Sequence, residues 1–189
     1  RLTTPDPIET QTLLRRMVDA GVQCVIMEVS AHALDMHRIA GIRFKVGAFS
    51  NFSQDHLDYF EDMDAYFAAK MRLFAPDVCD EIVYNVDDER VNAGIRALGR
   101  PALRIGIRES SDVYANDIEI GERGCAFLMT WHKKFRTSIS LRLAGIFNVY
   151  NALTAAGICI CAGVGLENIR QGLEAVQAVP GRIELLDTG

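Results

Sequence analysis

The sequence predicts an α/β fold: a mostly parallel sheet flanked by helices, with a small antiparallel three-stranded subsheet. Three observations predict it. Strand-like apolar runs alternate with helical patterns through the first half of the chain, the βαβ rhythm of a parallel sheet. The first two of these runs are apolar nearly throughout, as strands covered on both faces are. After Glu109 the rhythm gives way to three strand-like runs joined by short links, which read as an antiparallel meander.

Each element follows from local chemistry. Asp6 can cap a helix with Pro7 at its first position and Glu9 at its third, and Gly21 ends it after about Ala20. The run Gln23-Cys24-Val25-Ile26-Met27-Glu28-Val29 predicts a buried strand, and Phe44–Phe49 a second. From about Asp62 to Ala75 the apolar residues Met63, Tyr66, Phe67, Met71 and Phe74 recur at threes and fours, one face of a helix. A strand at Glu81–Asn85, a helix near Asp87–Leu98 and a strand at Ala102–Ile107 come next. The meander comprises Val113–Ile120, Gly124–Trp131 and Phe135–Leu143, linked by Glu122-Arg123 and His132-Lys133-Lys134. Phe147–Ala162 is apolar nearly all round and predicts a buried helix, Leu166–Gln177 a more polar one, and Pro180-Gly181 turns into the strand-like Arg182–Leu186. The pattern reads as one domain over residues 1–189, with the subsheet at 112–143 within it.

Composition narrows the function. With 189 residues the chain can bury a real core, and 49% hydrophobic with 24% charged residues is ordinary for a globular protein. A net charge of -5 argues against nucleic acid or an anionic membrane as partner. No apolar run approaches the roughly 18 residues of a membrane span, and no signal peptide opens the chain. Cys24, Cys79, Cys125, Cys159 and Cys161 are scattered without CxxC or Cys/His spacing, which argues against a zinc site and for reduced core cysteines of a cytoplasmic protein. The ends look cut: Arg1 is no initiator, and the chain stops at Gly189 just after a strand-like start, so a piece of a longer protein is expected.

Several residues could carry chemistry. Glu28 and Ser30 fall at the carboxyl end of the first buried run, where ligands of open parallel sheets bind, and a carboxylate there can reach a cation such as Mg²⁺. Asp55, His56 and Asp58 follow the second run; they suit a metal or phosphate, or simply a turn. Lys70 lies on the apolar face of its helix. It either snorkels to water or is buried, where an unpartnered amine tends to the neutral form and can react with CO₂ to give a carbamate. Asn148 and Asn151 stand three apart, so both carboxamides leave one side of a first helical turn; they could meet an adenine edge or serve as a cap. Thr3-Thr4-Pro5-Asp6-Pro7 leads into a helix N-terminus, which attracts anions or needs only a cap.

In their order, TTPDP, MEVSAHAL with Arg38 soon after, SNFSQDHLDYF…AYFAAK, NVDD, GIFNVYNALTAAG and PGRIE, these segments resemble the central domain of the Mur ligases over nearly the whole chain. The resemblance implies a fold like that of the P-loop NTPases. It also implies an ATP-dependent amide ligase of peptidoglycan assembly. Such an enzyme adds the third amino acid, meso-diaminopimelate or L-lysine, to UDP-MurNAc-L-Ala-D-Glu through an acyl phosphate, with ATP and Mg²⁺ required. Residue by residue, it implies a carbamylated Lys70 and Mg²⁺ held by Glu28, His56 and that carbamate. Thr3, Thr4, Ser30 and Arg38 would contact the UDP-MurNAc-dipeptide, and Asn148, Asn151 and Arg182 the nucleotide. Met36 stands where many relatives have a Gln substrate contact; either the contact is absent or a neighbour such as His37 supplies it. No G-x-x-x-x-G-K-[ST] phosphate loop occurs in the chain. Amino-terminal and carboxy-terminal domains are therefore expected as its partners, and the chain alone is expected to be inactive. Rival readings are a folylpolyglutamate synthase-like ligase, a metal-dependent hydrolase using Asp55, His56 and Asp58, and a domain that only binds.

Overall fold

A computed structural model describes residues 3–54 and 58–177. The chain divides into two compact units, residues 1–44 with 53–80, and residues 45–52 with 81–189.

The first unit is mainly helical. Helix α1 spans Pro7–Asp19, and the Asp6 carboxylate accepts from the N–H groups of Ile8 and Glu9, as the sequence predicts. A short helix α2 follows at Ala31–Asp35, with Ser30 as its cap. Helix α3 spans Met63–Met71 and tightens into a 3₁₀ turn at Arg72–Phe74, within the predicted 62–75 segment; the Asp62 carboxylate caps it by accepting from Ala65 N–H. Phe60, Tyr66, Ala69 and Phe74 are buried here, along with Ala31, Ala33, Leu34 and Ile39. The cores of α2 and α3 thus face the same interior.

One predicted element is corrected. Residues 23–29 belong to no strand or helix, and Ile26 is 86% exposed. Apolar composition states what environment a run prefers. A strand also needs a neighbour for its N–H and C=O groups, and none is laddered to this run among the described residues. Cys24, expected in the core, is exposed with it.

The second unit is built on a six-stranded sheet in the order β1-β2-β3-β4-β5-β6: Phe44–Phe49, Cys79–Asn85, Leu103–Gly106, Val113–Ile120, Cys125–Trp131 and Phe135–Leu141. Strand β2 runs parallel to β3, and β3 to β4, while β4–β5 and β5–β6 are antiparallel. The predicted meander is therefore continuous with the parallel strands. Helix α4 (Glu89–Ala97) follows β2. Helices α5 (Ile146–Cys161) and α6 (Leu166–Ala175) close the described chain. The nearly all-apolar α5 buries Val149, Leu153 and Ala156 in one cluster with Val83, Ile105, Val113, Phe127, Met129 and Ile139 of the sheet. The predicted strand after Pro180 lies outside the described residues.

Gly157 shows how close that contact is. A Cβ there would stand 2.7 Å from Val83 Cγ1 and 3.1 Å from Ile105 Cγ2. Branched bulk must force helix and sheet apart. Gly157→Val is expected to lower stability by about 1–3 kcal/mol in chemical denaturation; an unchanged midpoint would contradict this packing.

Candidate functional site

In the first unit, candidate residues gather on Thr4. The Thr4 residue is 1% exposed, so its hydroxyl needs partners. It donates to the Glu28 carbonyl at 3.0 Å and accepts from Ser30 N–H at 3.3 Å. The Arg38 guanidinium donates to the Thr4 carbonyl at 3.3 Å. Thr4, Glu28, Ser30 and Arg38 are thereby joined although they lie far apart in sequence. Thr3 is exposed beside them.

Each side chain has a local role as well. Ser30 Oγ accepts from Ala33 N–H at 3.1 Å, capping α2. Met36 Sδ accepts from Arg38 Nη2 at 3.1 Å. The thioether therefore lies against the guanidinium. His37 holds a left-handed backbone, φ 53°, an uncommon conformation for a residue with a Cβ. It lines a cavity of about 570 Å³ with Leu34, Ile39, Arg43, Arg72 and Asp77, apart from Thr4, Glu28, Ser30, Arg38 and Lys70.

Lys70 is half-buried on α3 with Nζ 5.0 Å from the centre of the Tyr66 ring, where an ammonium is drawn to the ring face. Tyr66 stacks on Phe60 at 5.4 Å, and Phe60 packs against His32 at 5.5 Å and Tyr59 at 4.8 Å. His32 sits two residues after Ser30. Tyr59 O–H donates to Asp35 at 2.9 Å, and Arg72 pairs with Asp35 at 3.0 Å. This aromatic chain connects the Lys70 helix to the helix that Ser30 caps. The short α2 carries the linkage, and the sequence reading did not find it. Its signal was the Ser-Ala-His-Ala-Leu run, a serine ahead of helix formers.

Asp58 is exposed, while Asp55 and His56 lie outside the described residues. Among the described residues no three His, Cys, Asp or Glu side chains gather as a metal site. Mg²⁺ does not need such a cage; it is usually held by one or two carboxylates, several waters and substrate phosphates. The exposed Glu28 carboxylate, with its backbone pinned by Thr4, offers a hard oxygen donor of that kind.

In the second unit, Asn148 and Asn151 form a relay. Asn148 Nδ2 donates to the Ala144 carbonyl at 2.8 Å, and Asn148 Oδ1 accepts from Asn151 Nδ2 at 3.3 Å. The cap of α5 falls on Gly145, not Asn148, with φ 97°, a region that favours glycine. Arg182 lies outside the described residues.

The NVDD segment proves more structured than the sequence reading foresaw. Asn85 Oδ1 accepts from Asp87 N–H at 3.0 Å. Asp88 caps α4 by accepting from Val91 N–H at 3.0 Å, and also accepts from Phe52 N–H at 2.6 Å, fixing the start of the SNFSQDH loop. Asp87 Oδ2 accepts from Tyr150 O–H at 3.1 Å and Ile107 N–H at 2.7 Å. Position after a core strand was the available signal for these residues.

Comparison with known proteins adds an independent line. Residues 1–159 match the Mur ligase middle domain. The chain is 39% identical over 195 aligned residues to the UDP-N-acetylmuramoyl-L-alanyl-D-glutamate--2,6-diaminopimelate ligase of Bacillus licheniformis, covering 99% of this chain and 40% of that protein. It is 41% identical to the protein of the same name from Geobacillus thermodenitrificans, with the same coverage. A solved structure of such a diaminopimelate ligase superposes with a TM-score of 0.88 at 27% identity, over 97% of this chain and 39% of that one. A MurF structure from Acinetobacter baumannii superposes at 0.66 and 25% identity over 75% of this chain and 31% of its own. The chain spans about 40% of the length of the curated relatives it matches.

Burial, together with the charge of Asp87, pushes the Tyr150 hydroxyl from its ordinary value near 10 up to about 12. A raised value means that folding favours the protonated phenol. That stabilisation is complete below about pH 10 and is lost as pH climbs through about 12. Alkaline titration followed by circular dichroism is expected to show a loss of stability in this window, and Tyr150→Phe is expected to flatten it. Identical alkaline curves for the two proteins would rule this out.

Proposed function

Because the chain belongs to the Mur ligase family and is its middle domain, we propose that it is the ATP-handling part of a three-domain cytoplasmic ligase. That enzyme joins an amino acid, meso-diaminopimelate rather than L-lysine, to UDP-MurNAc-L-Ala-D-Glu in peptidoglycan assembly. Diaminopimelate is preferred because the similar curated proteins carry that amino acid in their names. The observation that carries the reading is the convergence of Thr4, Glu28, Ser30 and Arg38 through the Thr4 hydroxyl and carbonyl, at segments the family uses for its substrate.

The roles follow from each residue's chemistry. Arg38, with donors left over after its bonds to Thr4 and Met36, and the exposed Thr3 offer N–H and O–H groups to the anionic UDP-MurNAc-dipeptide. Ser30 is shared between capping α2 and meeting that substrate. Glu28, His56 and the carbamate of Lys70 would hold Mg²⁺, which when bound neutralises phosphate charge as the ATP γ-phosphoryl group passes to the substrate carboxylate. A carbamate on Lys70 turns a cation into an anion with two oxygens; the Tyr66 ring face draws the ammonium and would release the carbamate toward a metal cation. Asn148 and Asn151 face the adenine; with Asn148 occupied at both ends of its amide, the free Oδ1 of Asn151 is the acceptor left for an exocyclic amine. Arg182 would contact the nucleotide, as the family resemblance implies.

The full polypeptide is expected to release ADP only when ATP, UDP-MurNAc-dipeptide and diaminopimelate are all present, and residues 1–189 alone are expected to be inactive. Lys70→Ala in the full polypeptide should lower the turnover rate by about 10²-fold or more, the scale of losing one electrostatic stabiliser of a transition state. Less than a tenfold loss, or folate glutamylation in place of ligation, would overturn the assignment.

A further inference from the structure

The carboxyl ends of β2 and β3 carry a polar knot centred on Asp87. Its side chain is only 9% exposed. One oxygen, Oδ2, accepts from Ile107 N–H and Tyr150 O–H. The other, Oδ1, lies 3.3 Å from the Arg108 guanidinium and makes no hydrogen bond. Burying a carboxylate costs several kcal/mol before its bonds offset it, so a link made only to hold a helix on a sheet would not need one.

Gly106 keeps the space open. A Cβ on it would stand 2.6 Å from Asp87 Oδ2 and 2.8 Å from Ser111 Oγ. The knot therefore ties four things at one point: the end of β2, the end of β3, the turn after it, and α5.

What it ties on α5 decides its meaning. Tyr150 lies between Asn148 and Asn151, near the start of the helix. That start has no side-chain cap; its cap residue is Gly145. Its first turns are held by the buried Val149 and by the Tyr150–Asp87 bond, which ties them to the carboxyl ends of β2 and β3.

We propose that Asp87 is a positioning residue of the nucleotide site: by holding Tyr150 it sets the height and rotation of the first turns of α5, and so where the Asn148 and Asn151 carboxamides stand. This rests on the reading that those carboxamides face adenine. Asp87 does not touch the nucleotide. Its effect is on recognition of the base, with the phosphates untouched, so it bears on ATP affinity and base choice and not on the chemical step.

The test is titration calorimetry of Mg²⁺-ATP and Mg²⁺-GTP against the full polypeptide, with steady-state ligation measured beside it. Tyr150→Phe keeps the ring and removes the donor. It is expected to weaken ATP binding roughly tenfold, the scale of a hydrogen bond to a charged group. GTP binding should change little, narrowing the preference between the two, and kcat should hold while the KM for ATP rises. Gly106→Ala, which crowds Asp87 without touching α5, should act in the same direction. Asp87→Asn retains an acceptor and should lose less than Asp87→Ala. Unchanged ATP affinity in Tyr150→Phe overturns the proposal, as does equal weakening of ATP and GTP, or a lower melting temperature with both affinities intact. If the wild type binds ATP without ligating, the ligase reading fails while the affinity comparison still judges Asp87. If it binds no ATP, both fall.

Discussion

A buried hydroxyl organises the first unit. Thr4 is out of water, and a hydroxyl out of water must donate and accept or cost the fold its desolvation. Its two bonds bring the TTP segment against residues 28–30, and its carbonyl holds Arg38. Each of those partners lies in a segment without regular structure or at a helix edge. Replace the hydroxyl by a methyl group and the Glu28 carbonyl and Ser30 N–H lose their shared partner. Thr4 thus sets the spacing of Glu28, Ser30 and Arg38.

The second unit meets the same constraint with charge in place of a hydroxyl. Asn85, Asp87 and Asp88 leave β2 in succession. Each accepts a backbone N–H: Asp87, Ile107, and Val91 with Phe52. A loop at the carboxyl edge of a parallel sheet has orphan N–H groups and no ladder to take them, and acidic side chains are the compact acceptors available. Four bonds of this kind fix the chain where it leaves β2.

The candidate residues of the first unit stand in different surroundings: Thr3 is exposed and Arg38 is half-buried. Lys70 lies half-buried over the face of Tyr66, and that ring continues into Phe60, His32 and Tyr59. The chain belongs to the Mur ligase family and spans about 40% of the length of the curated relatives it matches.

Periodicity and capping chemistry were legible in the sequence because they are short-range. Asp6, Asp62 and Asp88 each precede a helix, β4–β6 alternate and turn tightly, and α5 is apolar all round; these follow from neighbours a few residues apart. The order of the motifs singled out Thr4, Glu28, Ser30, Arg38 and Lys70 as candidates, and the structure joins the first four through Thr4. What the tertiary structure alone decided is which distant groups share an atom. No spacing rule relates Thr4 to Glu28, or Asp87 to Tyr150, because those pairs are set by how strands and helices stack. The run 23–29 shows the converse: its composition asks for a buried strand, yet strand formation depends on a partner's backbone, and hydrogen-bond partners are a property of the assembled fold.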